Sequence, residues 1–290
     1  MKVAVVGASG QVGSLLCRAL DEDPAFSCVP LDHAAADVTD LEGLQQLFRE
    51  LRPSAVCSTA AFHNVEACEK DPDAAFRVNA LGARNLALAC REVGASLLWF
   101  STDYVFGGDK TDRTRGYTEF DPVGPGNAYA RSKFAGEQYI RSIWPNHFIV
   151  RTAWLFGASG SRSKGGNFVT TMLRLGKERR HLRVIDDQVG SPTSTAFLAL
   201  QVLVLLRTER FGTVHAVCSG SASWYDLALE IFRLARMDVA VLPVSTEEYG
   251  QAVPRPRFSV LENYVLSLEG MNRMPSWQDA LERYVREVLC

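Results

Sequence analysis

The run Lys2-Val3-Ala4-Val5-Val6-Gly7-Ala8-Ser9-Gly10-Gln11-Val12-Gly13 decides the fold of this chain. Residues 2–6 have strand composition and stop at a glycine loop, and a helical pattern over residues 11–20 starts directly behind it. A strand, a glycine loop and a helix in that order form the context of a dinucleotide-binding fingerprint. Glycine lets the backbone approach a pyrophosphate, and the helix N-terminus offers unpaired N–H groups and a positive dipole end. The spacing here is G-x-x-G-x-x-G rather than G-x-G-x-x-G. Gly7, Gly10 and Gly13, with Gln11 and Val12, are therefore the candidate cofactor loop. A tight strand-to-helix turn without a ligand is the plain alternative.

Outward from this junction, strand-like runs at 28–31, 54–58, 96–101 and 148–152 alternate with helical stretches at 41–51, 72–93 and 127–142. Strands alternating with helices predict βαβ units and an α/β, Rossmann-type, doubly wound parallel sheet. Pro53 and Gly94 fall at helix–strand boundaries. Beyond residue 153 the pattern loosens, with helices expected at 167–177, 195–206, 224–236 and 277–288 and short strands at 182–185 and 213–216. The expected organisation is a dinucleotide-binding domain over residues 1–152 and a smaller mixed α/β C-terminal substrate lobe over 153–290. Some segments of the lobe return to the first domain. The lobe lies over the carboxyl edge of the sheet, where open α/β folds bind ligands.

Composition narrows the function classes. Hydrophobic residues make up 47% and charged residues 22%, ordinary for a globular chain with a full core. A net charge of −2 gives no electrostatic case for nucleic acid or an anionic membrane. The seven cysteines, Cys17, Cys28, Cys57, Cys68, Cys90, Cys218 and Cys290, contain no C-x-x-C pair and read as reduced core thiols. The apolar start at residues 3–6 is too short for a signal h-region, and the longest later run, 197–206, is interrupted by Gln201 and too short to span a bilayer. The expectation is a cytoplasmic protein. No acid, histidine or cysteine cluster has metal-ligand spacing, so no catalytic metal is expected.

A second constellation carries chemistry. Tyr129 and Lys133 lie four residues apart in N-A-Y-A-R-S-K-F-A-G-E, which puts them on one helix face. A cation about 4 Å from a phenol favours the phenolate by at most roughly 4 kcal/mol at an effective dielectric of about 20. That is up to about three pKa units, less what burial takes back. Alone, such a pair is more often a solvated helix face. Thr102, at the end of the fourth strand, faces the ligand crevice and is a candidate to hydrogen-bond a carbonyl, although S-T-D also reads as a strand-ending cap. Asp32 ends the second strand 19 residues past Gly13, where an acid meets ribose hydroxyls. His33, Ala34, Ala35 and Ala36 follow, with no arginine for a 2′-phosphate, which leans towards NAD or tolerance of both cofactors. Asp37 is placed near the adenine edge, or at the N-cap of the next helix.

Taken together, these residues resemble the extended short-chain dehydrogenase/reductases and, within them, the dTDP-4-dehydrorhamnose reductases. The resemblance covers nearly the whole chain. It runs through the glycine loop, S-T-D-Y-V-F at 101–106, Y-T-E-F-D-P at 117–122 and the Tyr129/Lys133 pair. It continues through R-T-A-W-L-F-G at 151–157, N-F-V-T-T-M-L-R-L at 167–175, D-D-Q-V-G-S-P-T at 186–193, S-W-Y at 223–225 and R-P-R-F-S-V-L at 255–261. It implies NADPH or NADH as cofactor, with Ala60 and Ala61 joining the cofactor site, and reduction of the C4 ketone of a nucleotide-linked 6-deoxy-hexulose. Tyr129 is then the acid that protonates the developing alkoxide, Lys133 the ribose ligand that lowers its pKa, and Thr102 the carbonyl ligand. Asp103, Tyr104 and Trp154 are placed at the sugar, and Arg255 at the diphosphate. Core packing for Trp154 and a surface salt bridge for Arg255 are the structural alternatives. The implied partner is a nucleotide sugar, with a homodimer left open.

The chain departs from the pattern at Ala60-Ala61-Phe62-His63-Asn64-Val65-Glu66, where A-A-Y-T-x-V-D is usual. His63 thus stands near the sugar in place of threonine, or serves as a structural histidine. Gly107 and Ala130 also differ from the usual aspartate and glycine. Two rival readings share the fold. A sugar-nucleotide dehydratase needs a glutamate where Tyr104 stands, and epimerases lack the D-D-Q segment. A non-catalytic regulatory subunit of a methionine adenosyltransferase departs from the D-D-Q and R-T-S-W regions, which this chain keeps.

Overall fold

The computed structural model describes residues 1–107, 114–157 and 166–289. The first half runs β1 (Lys2–Val6), α1 (Gln11–Asp21), β2 (Ser27–Leu31), α2 (Leu41–Leu51), β3 (Ala55–Ser58), α3 (Val65–Lys70) and α4 (Pro72–Phe76). A π turn (Arg77–Leu81) leads into α5 (Gly82–Val93), then β4 (Ser96–Thr102), a 3₁₀ turn (Asp103–Val105), α6 (Ala128–Ile143) and β5 (His147–Thr152). The second half begins with β6 (Leu155–Phe156), α7 (Phe168–Glu178), β7 (His181–Ile185), β8 (Val189–Gly190), β9 (Thr193–Ser194) and α8 (Thr195–Leu206). It ends with β10 (Gly212–His215), β11 (Ala222–Ser223), α9 (Trp224–Ala235), β12 (Ala240–Val244), α10 (Thr246–Tyr249), α11 (Tyr264–Leu268) and α12 (Trp277–Leu289).

The main sheet has six parallel strands in the order β10-β5-β4-β3-β1-β2. The chain leaves β1 in one direction to β2 and returns to its other side at β3, so the topological switch point lies at β1/β3. Both faces of the sheet are covered, and successive side chains go to opposite faces. Val3, Val5, Leu98, Phe100, Phe148 and Val150 enter the core on the side of α1, α8 and α12. Ala4, Val6, Leu97, Trp99 and Ile149 enter the core on the side of α2, α5 and α6.

Local chemistry sets the helix ends. Asp40, Asn64 and Asn127 cap α2, α3 and α6, each side chain accepting the N–H three residues on. Asp40 therefore takes the N-cap that Asp37 was one candidate for. Gly94 closes α5 at φ 73°, the left-handed geometry a glycine C-cap adopts without penalty.

Three stretches differ from the sequence expectation. Residues 72–93 are not one regular helix, because the π turn at Arg77–Leu81 inserts a wider ring midway. Its buried Asn79 accepts the Phe62 N–H at 2.9 Å and donates to Phe62 O at 2.9 Å and Ser132 Oγ at 3.0 Å. The strand expected at 213–216 within the small lobe is β10, the edge strand of the main sheet beside β5. The chain also forms β12, paired only with β7. Pro243 argues against a strand there, and an edge position is where a ladder tolerates proline.

Among the described residues, no helix is long and apolar enough to cross a membrane. The six described cysteines form no disulfide; Cys57, Cys68, Cys90 and Cys218 are buried, and Cys17 and Cys28 are half-buried. Cys290 lies outside the described residues.

Candidate active site

A cavity of about 1060 Å³ opens at the carboxyl ends of β1, β3, β4 and β5, at the switch point. It brings together Gly7, Gly10, Gln11 and Val12 from the glycine loop, Asp37, and Ala60, Ala61 and His63 behind β3. Thr102, Asp103 and Tyr104 reach it from the end of β4, Tyr129 and Lys133 from α6, and Trp154 and Arg255 from the second half. Two expected cofactor residues are not in its lining. Gly13 is needed for packing, since a Cβ there would lie 2.2 Å from Gly7 O. The Asp32 carboxylate accepts the Ala35 N–H at 3.0 Å and closes a local turn, while His33, Ala36 and Asp37 line the wall.

The loop end suits an anion. Gly7 sits at φ 81°, and a Cβ on it would lie 2.7 Å from Thr59 Oγ1, so only glycine fits. Gly10 is the N-cap of α1 and makes no side-chain cap, which leaves the first-turn N–H groups facing the cavity. This fits the diphosphate of a dinucleotide. Asp37 accepts the Thr39 N–H and hydroxyl, both at 2.8 Å, and these bonds hold its pKa below the usual carboxylate range. Arg77, on the π turn, lines the same cavity. This arginine is remote in sequence from Asp32, so no local spacing points to it.

The chemical end is largely buried. Burial drives the Tyr129 phenol well above its ordinary pKa, opposed by a hydrogen bond with Thr102. Lys133 is buried, donates to Phe100 O at 2.6 Å and lies 3.6 Å from the centroid of the Trp99 ring. Burial pulls its pKa down to about 7, against the opposing influence of Glu137. The expected lysine-driven depression of the phenol is thus overridden. Within the helix–sheet interface, the β4 carbonyl and the indole face are the groups that hold the ammonium. Glu137, one turn further along α6, accepts Ser101 Oγ at 2.6 Å and Arg151 at 2.9 and 2.8 Å. Burial raises its pKa, but Arg151, Arg141 and Ser101 outweigh that and hold it below the usual range.

Asp103 is buried, and that burial raises its carboxyl to about 6 against the opposing influence of the neighbouring Ser259 and Thr102 hydroxyls. Tyr104 packs edge-on to Tyr129 with ring centroids 5.7 Å apart. It also shares a hydrogen bond with Arg255, whose Nη2 pairs with Glu66 and whose buried Nε has no partner. Arg255 therefore combines both sequence readings: it is in a salt bridge and it faces the cavity. His63 lines the wall with Nδ1 3.4 Å from Ala61 O, and the neighbouring Asn64, not His63, caps α3.

Trp154 stacks on Trp224 with ring centroids 3.5 Å apart and planes 2° from parallel, and Phe168 packs against Trp224. The D-D-Q-V-G-S-P-T segment supports this pair. Gln188 accepts the Trp224 indole N–H at 3.3 Å, and Gly190 leaves room for Trp154, whose ring would lie 2.4 Å from a Cβ there. Trp224, Phe168, Thr59 and Arg77 are lining residues that sequence reasoning did not assign. The S-W-Y motif was the available signal for Trp224.

Known proteins match this arrangement along the full chain. The family model described as RmlD substrate binding domain matches residues 1–290. A dTDP-4-dehydrorhamnose reductase of Streptomyces griseus is 39% identical over 284 residues, covering 96% of this chain and 90% of the relative. A dTDP-4-keto-6-deoxy-D-glucose reductase of Streptomyces niveus is 38% identical over 282 residues, covering 96% and 94%. The crystal structure of dTDP-4-dehydrorhamnose reductase from Bacillus anthracis in complex with NADP is 44% identical, covers 99% of each chain and superposes with a TM-score of 0.92. A full-length match to the model, with relatives near 40% identity on a shared fold, means that this chain belongs to the RmlD substrate binding domain family.

Proposed function

We propose that this protein is an NAD(P)H-dependent oxidoreductase that reduces the C4 ketone of a nucleotide-linked 6-deoxy-hexulose, converting dTDP-4-dehydro-L-rhamnose to dTDP-L-rhamnose. One observation carries the reading. Thr102, Tyr129 and Lys133 meet in the same cavity as the uncapped start of α1, which supports a reducing cofactor and a carbonyl binding side by side.

A reduced nicotinamide supplies the hydride. The Thr102 hydroxyl holds the carbonyl oxygen, and Tyr129 gives its proton to that oxygen as negative charge develops. A raised phenol pKa keeps this proton in place at neutral pH, so Tyr129 starts each cycle as the acid. Lys133 holds the cofactor ribose, and the glycine loop with Asp37, Ala60 and Ala61 holds the rest of the dinucleotide. Asp103, Tyr104, His63 and Trp154 enclose the sugar. Arg255 meets the diphosphate with a planar fork that matches phosphate oxygens. Residues 1–152 carry the cofactor in this scheme, and residues 153–290 carry most of the substrate wall.

A second sugar is favoured by one feature, His63 on the cavity wall where the resemblance implies threonine. A different dTDP-linked 4-keto-6-deoxyhexose is the substrate in that case. Both readings are tested by supplying dTDP-glucose with the upstream dehydratase, with and without the epimerase. Oxidation of the reduced nicotinamide is followed by absorbance and the product is identified by NMR. Formation of dTDP-L-rhamnose is the expected outcome. Turnover without the epimerase moves the assignment to the second sugar, and cofactor binding with no oxidation in either mixture removes the reductase reading.

A further inference from the structure

Asp103 is a buried carboxyl with half of its hydrogen-bonding capacity unused. It is 2% exposed, its Oδ1 accepts the Thr102 hydroxyl at 3.1 Å, and its buried Oδ2 has no hydrogen-bond partner. A buried polar atom left this way is costly, and such atoms call for an explanation. The Thr102 hydroxyl also accepts the Tyr104 N–H at 3.2 Å and meets the Tyr129 phenol. Phenol, hydroxyl and carboxyl therefore stand in a row along the cavity wall, with the phenol at the end where reduction takes place. The ionisable groups facing Asp103 are Tyr104 and Tyr129, with Arg255 and Glu66 beyond Tyr104. Lys133 is engaged with Trp99 and Phe100 O.

We infer that Asp103 reloads Tyr129 with a proton through Thr102 after each reduction. The inference rests on Tyr129 being the acid of the reductase reading. In the reduction the Tyr129 O–H bond breaks as the product O–H bond forms. The phenolate then takes the Thr102 hydroxyl proton, Thr102 takes the Asp103 carboxyl proton, and water at the cavity wall returns a proton to the carboxylate. One proton passes from water to product oxygen, and no electrons move along the relay. Burial makes the carboxyl suited to this. Raised to about 6, it holds a proton in roughly one molecule in ten at pH 7, against about one in a thousand for an ordinary aspartate. Asp103 acts through Thr102, whereas a mere sugar ligand would act on binding.

The two roles separate in Asp103→Asn, mixed with saturating substrate and reduced cofactor in a stopped-flow instrument. The first turnover, one equivalent of cofactor per site, should lose far less than later turnovers, because Tyr129 begins loaded and a lost sugar contact slows both phases alike. Steady-state kcat should then fall about 10- to 100-fold, the scale of an acid–base contribution, leaving a burst in the trace. Equal losses in both phases, or no loss in either, overturn the relay. Tyr129→Phe is the companion: it should lose the first turnover too, and an intact first turnover there would remove the acid assignment itself. A measurement on wild-type protein covers the case in which the asparagine variant does not fold. Steady-state rates in mixtures of H₂O and D₂O should curve with deuterium fraction, because several protons move; a straight line overturns the proposal.

Discussion

Trp154 occupies φ 43°, a left-handed backbone that a bulky side chain seldom adopts, and it does so beside the reacting end of the cavity. The strain is held by what surrounds the ring: Trp224 on one face and the bare backbone of Gly190 beneath it. Gly190→Ala should therefore push the indole out of its stack. We expect a stability loss of about 1–3 kcal/mol, as for overpacking elsewhere, and a rise in KM for the sugar nucleotide larger than any change in cofactor affinity. Urea midpoints and steady-state kinetics read the two effects, and an unchanged KM would detach Trp154 from the substrate. At Tyr129 the expectation concerns chemistry alone. Tyr129→Phe removes the proton and little volume, so kcat should drop by about 10²- to 10⁴-fold while NADPH binding, titrated by fluorescence, stays within about twofold. Near-normal turnover would discard the acid role.

At the scale of elements, α6 is the part on which the site depends. Its Tyr129 and Lys133 face the cavity, and its next turn is anchored to the sheet by Glu137, which joins Ser101 on β4 to Arg151 on β5. Both carboxylate and guanidinium are buried. Removing one partner leaves an uncompensated buried charge, so Glu137→Gln should cost about 3 kcal/mol or more. A shift in the urea midpoint worth less than about 1 kcal/mol would show the anchor to be dispensable. Much of this architecture was legible. The β1–loop–α1 junction and the strand–helix alternation predicted the parallel sheet, and the Tyr129/Lys133 spacing predicted a shared helix face. What stayed illegible depends on neighbours remote in sequence. Lys133 was expected to tune Tyr129, but Trp99 and Phe100 O, which claim its ammonium, come from another strand. Asn79 is turned inward by a π turn that the 3.6-residue period does not reveal. Asp32 had the right sequence distance from Gly13, yet its Oδ1 closes a local turn and the residue lies outside the cavity lining.

For the whole molecule, the apolar core runs across residue 152 without a break. Residues from Val3 to Val285 share one apolar cluster, α8 packs on α1, and β10 completes the sheet. A fragment of residues 1–152 should consequently show no cooperative urea transition, where the full chain shows one. A sharp transition in the fragment would establish an independent first domain. Acid stability also follows from buried groups across the molecule. Burial, with Arg151 adding to it, lowers His215 to about 3, so the unfolded chain takes up a proton near 6.5 while the folded one does not. His215 therefore stabilises the fold fully above about pH 6.5, and this is lost as pH falls, at up to about 1.4 kcal/mol per unit. Asp103 runs the other way: its folded pKa is raised to about 6, so the folded state gains relative stability as pH drops from there towards 4. The two nearly cancel between about pH 6 and 4, and below that His215 and the depressed Glu137 act together. In Asp103→Asn the decline should begin near pH 6.5 instead, and identical urea midpoints for variant and wild type at pH 7, 5.5 and 4 would contradict this balance.

The position of β10 has a consequence for how the protein is made. A ribosome releases β5 long before its outer neighbour: 63 residues separate Thr152 from His215, about 3–13 s of elongation at roughly 5–20 residues per second. During that interval any sheet formed by the nascent chain would end at β5, whose backbone edge is able to pair with any strand it meets. Yield in a cell-free system should thus respond to added chaperone most strongly while that stretch is being translated.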